Sequence, residues 1–215
     1  MKYRLIIFDM DGTLVNSSIT IANAINYVRH RLGFEPMEQH YILRRVNDHT
    51  LNPAQTFYHT KHFEADHERW FSEYYTKNHK KELVLYDGID VLLKMLKAKG
   101  CLLAVATNAY RNSTLESLGH LGIESFFDTV SCYDDVPRGK PAPDMIDKIL
   151  HDLACKKEEA LFIGDGPRDA MAAKAAGVDY LMVDWGFTEH VDAVKSVGVL
   201  KEILENYCEK PDHIA

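Results

Sequence analysis

The chain has 215 residues, 46% of them apolar, 27% charged and 10% aromatic, with twelve Gly and seven Pro, the balance of an ordinary globular protein. That balance excludes disordered, collagen-like and disulfide-knot classes, and the length suits either one large domain or a main domain carrying a smaller inserted one. Lys and Arg number 25 against 32 Asp and Glu, a net charge of −7, which argues against nucleic acid as a partner because such affinity comes from cations on the phosphate backbone.

Residues 4–8 form a short isoleucine-rich run closed by Asp9-Met10-Asp11-Gly12, a buried strand followed by a turn. From Ser17 or Ser18, either a good N-cap, the residues Ala22, Ile25, Val28 and Leu32 keep helical spacing until Gly33 ends the pattern. Residues 36–82 hold no convincing strand. Pro36 stands at a helix start, a mixed stretch carries Asn47, Asn52 and Pro53, and a polar, aromatic helix is predicted over 64–80. After Tyr86-Asp87-Gly88 the texture changes. Ile89, Leu92, Leu93 and Leu96 share a helical face ended by Gly100, and the strand Leu102–Ala106 follows. Helices near 113–121, 146–153 and 168–176 then alternate with strands near 129–132, 160–163 and 180–183.

Such alternation predicts an α/β fold, a doubly wound parallel sheet covered by helices on both faces. The stretch 17–84 interrupts it between the first and second strands, so it is expected to be an inserted all-helical cap, leaving 1–16 and 85–215 as the core. Cys101, Cys132, Cys155 and Cys208 lie far apart without a C-x-x-C pair and are expected to be reduced thiols. No apolar run approaches the ~20 residues that span a bilayer. The opening segment has a short apolar stretch where a signal peptide needs about 7 to 15 residues, so a cytoplasmic protein with no membrane partner is expected, a monomer or a homodimer.

In an open parallel sheet the binding crevice lies beyond the carboxyl ends of the strands. After the first strand come Asp9, Asp11, Gly12 and Thr13. Thr107 and Asn108 follow the second, and a loop with Asp134, Asp135, Arg138 and Lys140 the third. Gly164, Asp165, Gly166 and Asp169 follow the fourth. Four carboxylates (Asp9, Asp11, Asp165, Asp169) at one rim repel each other unless a cation sits among them, and hard oxygen ligands select Mg²⁺ over Zn²⁺. A lysine, a threonine hydroxyl, an asparagine amide and backbone N–H groups around Gly12 are what a phosphoryl group needs. An aspartate beside a metal can attack phosphorus, and a second one two residues on can protonate the leaving oxygen and then activate water.

Gly164-Asp165-Gly166-Pro167-Arg168-Asp169 nearly spells a dinucleotide-binding fingerprint, but Asp169 stands where a glycine is needed and puts an anion where the pyrophosphate would bind. A calcium loop starting at Asp9 fails because its glycine would fall on Leu14 and its glutamate on Thr20. Seven of the eleven histidines lie between His30 and His79 without zinc-site spacing, and Trp70, Phe71, Tyr74 and Tyr75 suit a cap interior.

These residues together resemble the motifs of the haloacid dehalogenase superfamily, within it the phosphoglycolate phosphatase-like group with a helical cap. The resemblance covers the whole length: Phe8-Asp9-Met10-Asp11-Gly12-Thr13-Leu14-Val15, Thr107-Asn108, Lys140 in Gly-Lys-Pro-Ala-Pro-Asp, and residues 164–169 match its four motifs in order. It implies a Rossmann-like core and Asp9 as nucleophile with Asp11 as general acid and base. It further implies Thr107, Asn108 and Lys140 on the phosphate, and Mg²⁺ held by Asp9, the backbone carbonyl of Asp11 and Asp165, with Asp169 assisting. The implied activity is Mg²⁺-dependent hydrolysis of a small phosphomonoester, a small phosphorylated metabolite, through an aspartyl-phosphate. A sugar phosphomutase, a pyrophosphatase of the same fold, or a non-catalytic phosphate-binding module are the alternatives. Where the group often carries a glycine-rich cap loop, this chain reads Arg44-Arg45-Val46-Asn47-Asp48-His49, and Arg45, Asn47 and His49 are the candidates for substrate specificity.

Overall fold

The structure, a computed structural model, describes residues 2–46, 48, 50–186 and 191–207. Five strands build a parallel sheet: β1 (Leu5–Phe8), β4 (Leu102–Ala106), β5 (Thr129–Ser131), β6 (Ala160–Gly164) and β7 (Asp179–Met182), in the spatial order β5-β4-β1-β6-β7. Strand β1 sits at the centre, Leu5 level with Leu102 on one side and Ala160 on the other. A separate two-stranded sheet joins β2 (Val15–Asn16) to β3 (Val84–Leu85).

The sheet is apolar on both faces because helices cover both, as parallel sheets require. Leu5, Ile7, Ala104, Ala106, Ala160 and Phe162 point to one face, where they pack with Met145, Ile146 and Ile149 of α7 (Asp144–Asp152) and Ala172 and Ala173 of α8 (Pro167–Ala176). The intervening residues Ile6, Phe8, Leu103 and Val105 are as deeply buried on the other face. There α5 (Ile89–Ala98) lies against β4 and against a terminal helix α9 (Val197–Tyr207), and α6 (Arg111–His120) follows β4 in the chain. The chain is therefore an α/β protein with a doubly wound parallel sheet.

The chain divides into two compact units, Met1–Val15 with Leu85–Ala215, and Asn16–Val84. The second unit is helical: α1 (Ser18–Arg31), α2 (Gln39–Val46), α3 (Pro53–Tyr58) and α4 (Ala65–Glu82). Its interior is Ala22, Ile25, Val28, Ile42, Phe57 and Tyr58, with Trp70 and Phe71 packed against them. Arg29 is buried too, its guanidinium donating to the carbonyls of Glu35 (2.9 Å) and Phe57 (2.5 Å), so the loop after α1 closes over a satisfied cation. Helix α1 starts differently from the expected serine cap. The side chain of Ser17 makes no cap bond, and Asn16 Oδ1 accepts from the N–H of Ser18 (3.2 Å), because an asparagine bonds readily to backbone two residues ahead. The stretch with Asn52 and Pro53 becomes α3, Asn52 Oδ1 capping the N–H of Gln55 (3.2 Å) with proline in the first turn.

Candidate active site

Strand β1 carries Asp9 to its carboxyl end, where the carboxyl group is buried and its own N–H donates to the carbonyl of Ile163 at 2.8 Å. Neighbouring β6 ends at Gly164 and delivers Asp165, and the first turn of α8 delivers Asp169. Carboxylate oxygens of Asp9, Asp165 and Asp169 lie within 4.8 Å of one another. Lys140 is buried among them. Its ammonium donates to Asp9 and pairs with Asp169 Oδ1 at 2.7 Å, while Asp169 Oδ2 accepts from the N–H of Gly166 at 3.2 Å.

Three carboxylates against one ammonium leave this cluster short of positive charge, and the titration of the groups reflects it. Burial, together with the charges of Asp169 and Asp11, outweighs Lys140 and pushes the Asp9 carboxyl up to about 7. Burial and then the charges of Asp9 and Asp169 raise Asp165 well above the ordinary carboxylate range. For Lys140 burial acts downward, but Asp169 and Asp9 outweigh it and hold the ammonium charged.

The family follows from comparison with known proteins. Residues 6–183 match the haloacid dehalogenase-like hydrolase family. The chain belongs to that family. A pyrophosphatase from Halalkalibacterium halodurans is 28% identical over 188 residues, 86% of this chain and 85% of that protein. A phosphoglycolate phosphatase from Aquifex aeolicus is 29% identical over 186 residues, 86% of this chain and 87% of the other. Among solved structures, a predicted phosphoglycolate phosphatase from Haemophilus somnus superposes with a TM-score of 0.80 at 25% identity, over 96% of this chain and 98% of that one.

The other residues singled out in this hydrolase's sequence fall as follows. Asp11 stands two residues beyond Asp9, and its carboxylate is outside the Asp9–Asp165–Asp169 cluster. The N–H of Gly12 donates to the carbonyl of Val15 at 2.9 Å. What Gly12 supplies is space and a left-handed turn: its φ is +84°, and a Cβ there would lie 2.2 Å from Asp165 Oδ2. Thr107 is buried at the end of β4, its hydroxyl oxygen accepting from the N–H of Ala109 at 3.1 Å. The carboxamide of Asn108 is turned to the backbone of Lys140. Arg45 of α2 lies over the ring of Tyr41, 3.5 Å from its centroid. Asn47 and His49 lie outside the described residues, as do Cys208 and residues 187–190 of the loop after β7.

Three aromatic residues near the acids brace the turns that carry them, and of these only Trp185 was marked in the sequence, in Val183-Asp184-Trp185-Gly186-Phe187, which resembles the loop that the phosphatases of this family carry after the last core strand. The hydroxyl of Tyr180 donates to the carbonyls of Gly164 (2.9 Å) and Gly166 (3.3 Å), pinning the turn that carries Asp165. Trp185 Nε1–H donates to the carbonyl of Thr13 at 3.0 Å, so the segment after β7 holds the turn after β1. Tyr86 packs on Trp185, and burial, then the charges of Asp165, Asp11 and Asp184, keep its phenol protonated. For Tyr86 and Tyr180 the only sequence signal was position, next to strand ends. No helix among the described residues is long and apolar enough to cross a membrane.

Proposed function

We propose that the chain is a Mg²⁺-dependent phosphatase that hydrolyses a small phosphomonoester, of the size and charge of phosphoglycolate, through an aspartyl-phosphate on Asp9. The observation that carries this reading is the meeting of Asp9, Asp165 and Asp169 around the buried Lys140. The named relatives, a phosphoglycolate phosphatase and a pyrophosphatase, support the substrate chemistry, a phosphoryl group on a small anionic leaving group.

The donor set fits Mg²⁺. It is all oxygen, it is crowded with raised carboxyls that favour a hard dication, and it contains neither His nor Cys. We assign the metal to Asp9, Asp165, Asp169 and the backbone carbonyl of Asp11. When bound, Mg²⁺ supplies the positive charge that keeps the carboxylates ionised and lets a phosphate dianion approach them.

In the first step an Asp9 carboxylate oxygen forms a bond to phosphorus as the ester oxygen leaves, and Asp11 gives that oxygen its proton. In the second step Asp11 takes a proton from water, the water oxygen attacks the phosphoryl group, and the bond to Asp9 breaks to release inorganic phosphate. Lys140 and the Thr107 hydroxyl compensate the phosphoryl oxygens throughout. Choice among leaving groups we assign to Arg45, Asn47 and His49.

Phosphate release from a panel of phosphoglycolate, sugar phosphates, nucleotides, an aryl phosphate and pyrophosphate, with Mg²⁺ and with chelator, tests the proposal. Activity confined to Mg²⁺ and to small esters is expected. Pyrophosphate as the best substrate would move the assignment to the pyrophosphatase, and full activity in excess chelator would overturn the mechanism.

A further inference from the structure

We propose that Asn108 is a positioning residue that works through Lys140 and not a direct ligand of the phosphoryl group. The inference deepens the phosphatase reading and rests on it for the identity of the anion. Its basis is a two-point clasp across 32 positions of sequence: Asn108 Oδ1 accepts from the N–H of Lys140 at 2.8 Å, and Asn108 Nδ2 donates to the carbonyl of the same residue at 2.9 Å. Both ends of the carboxamide are directed to one residue, and that residue's ammonium grips Asp9 and Asp169.

A lysine needs such a clasp. Its ammonium is carried on four rotatable carbons, so a shift of the Cα moves the charge freely unless the backbone on both sides is held. Lys140 stands in the stretch between β5, an edge strand, and α7, and no strand or helix fixes it there. The surroundings are built to the same end. Gly139 lies so close to the clasp that a Cβ would meet Asn108 Oδ1 at 2.7 Å and the Tyr133 ring at 2.8 Å. The N–H of Tyr133 donates to the carbonyl of Ala109 at 3.0 Å. Arg111 ties the loop again, its N–H donating to Asp134 Oδ1 at 2.8 Å and its guanidinium to Asp135 and to the carbonyl of Val130. The segment that begins with Thr107 and the segment that ends with Lys140 are thus locked together, and Asn108 is the link nearest the cation.

A cycle of Asn108→Ala, Lys140→Ala and the double variant separates this role from direct contact, read by calorimetric binding of inorganic phosphate in Mg²⁺ and by kcat/KM for an aryl phosphate. With Lys140 present, Asn108→Ala is expected to weaken both by roughly ten- to a hundredfold, the scale of a misplaced catalytic group. With Lys140 already removed, the same substitution is expected to change them by less than about twofold, since its route is gone. Equal losses in both backgrounds would overturn the proposal and make Asn108 a phosphate ligand. Amide hydrogen exchange supplies a readout that needs no phosphate chemistry. Protection of the Lys140 N–H should fall in Asn108→Ala, which removes its acceptor, and persist in Asn108→Asp, which keeps the acceptor oxygen and loses only the donor to the Lys140 carbonyl, and in Lys140→Ala, which keeps the N–H at that position. Unchanged protection in Asn108→Ala would overturn the clasp even if no ester is hydrolysed.

Discussion

The same device occurs in both units of the molecule and holds different things. In the helical unit, Asn26 Nδ2 donates to the carbonyl of Met37 at 2.9 Å and Asn26 Oδ1 accepts from its N–H at 2.8 Å. In the sheet unit Asn108 clasps Lys140 in the same way. Met37 carries an apolar side chain packed on the cluster of Ala22, Ile25 and Ile42, so that clasp fixes a loop against a core. Lys140 carries the cation that stands among Asp9, Asp165 and Asp169. An identical hydrogen-bond pattern is structural in one place and tied to the chemistry in the other, and only the held side chain tells them apart. The interiors differ in the same sense. The helical unit is closed by apolar and aromatic side chains and one satisfied arginine, whereas the strand ends of the sheet unit bring three carboxylates together around one buried ammonium.

The largest expected effect comes from the sheet unit. Asp9→Asn removes the proposed nucleophile and should lower kcat/KM by roughly 10⁴-fold or more, measured by phosphate release. The same substitution should have the opposite sign on stability without metal. Burial raises the Asp9 carboxyl from 3.8 to about 7, so the folded chain binds this proton more tightly than the unfolded chain does. Ionising it therefore costs the fold stability progressively between about pH 4 and about pH 7, and the penalty is complete above that range. In chelator the Asn variant should melt higher than the wild type near pH 8, by a margin that shrinks as the pH falls and vanishes below about pH 4. A variant that melts lower near pH 8 would show that the Lys140 pair, and not burial, dominates at Asp9.

Asp11→Asn comes next, at about 10² to 10⁴ in rate, the usual contribution of general acid and base catalysis. The loss should be greater for alkyl than for aryl phosphates, because a good leaving group needs no proton. Equal losses on both would remove Asp11 from the protonation role.

Asn26→Ala sharpens the contrast of the two clasps. It should cost roughly 1–3 kcal/mol of stability by leaving two backbone groups of Met37 unpaired. Inorganic phosphate should bind as tightly as to the wild type in calorimetry. A loss of phosphate affinity as large as that of Asn108→Ala would erase the distinction drawn between the clasps.

Much of the sheet could be read before the structure, because buried parallel strands are short apolar runs and their ends are marked by Gly, Asp, Thr and Asn. The α/β class and the strands near Leu5, Leu102, Thr129, Ala160 and Tyr180 follow from that pattern alone. Helix α9 was not anticipated, although Leu200, Ile203 and Leu204 keep helical spacing, because it lies beyond the last strand, where the alternation no longer asks for an element. Helix α3 was hidden by its own signal: Asn52-Pro53 looks like a break and is a cap with proline in the first turn. The destinations of polar side chains were not legible at all. Asn108 and Thr107 stand where a phosphate contact would be sought, yet the partner of Asn108 is 32 residues away and is backbone, which no spacing rule encodes. Gly12 is the same lesson in reverse. Its N–H is consumed inside the turn, and the glycine is needed because Asp165 occupies the space of its missing side chain.

The smallest expected effect belongs to the helical unit. Arg45 is committed to its own helix: its guanidinium lies 3.5 Å from the centroid of the Tyr41 ring one turn earlier, and Nη1 donates to the Tyr41 carbonyl at 3.4 Å. To favour an anionic leaving group it must surrender that stacking, which at a partly exposed site is worth about 0.5–1 kcal/mol, so its net contribution to discrimination is small. Arg45→Ala should therefore lower the kcat/KM ratio of phosphoglycolate to an uncharged alkyl phosphate by about two- to fivefold, the same 0.5–1 kcal/mol expressed as a rate ratio, and leave an aryl phosphate unchanged. Tyr41→Ala should act in the opposite direction, since it frees the guanidinium and raises the ratio. If both substitutions leave the ratio where it was, Arg45 is a surface residue of α2 and the selection of leaving groups rests on other side chains.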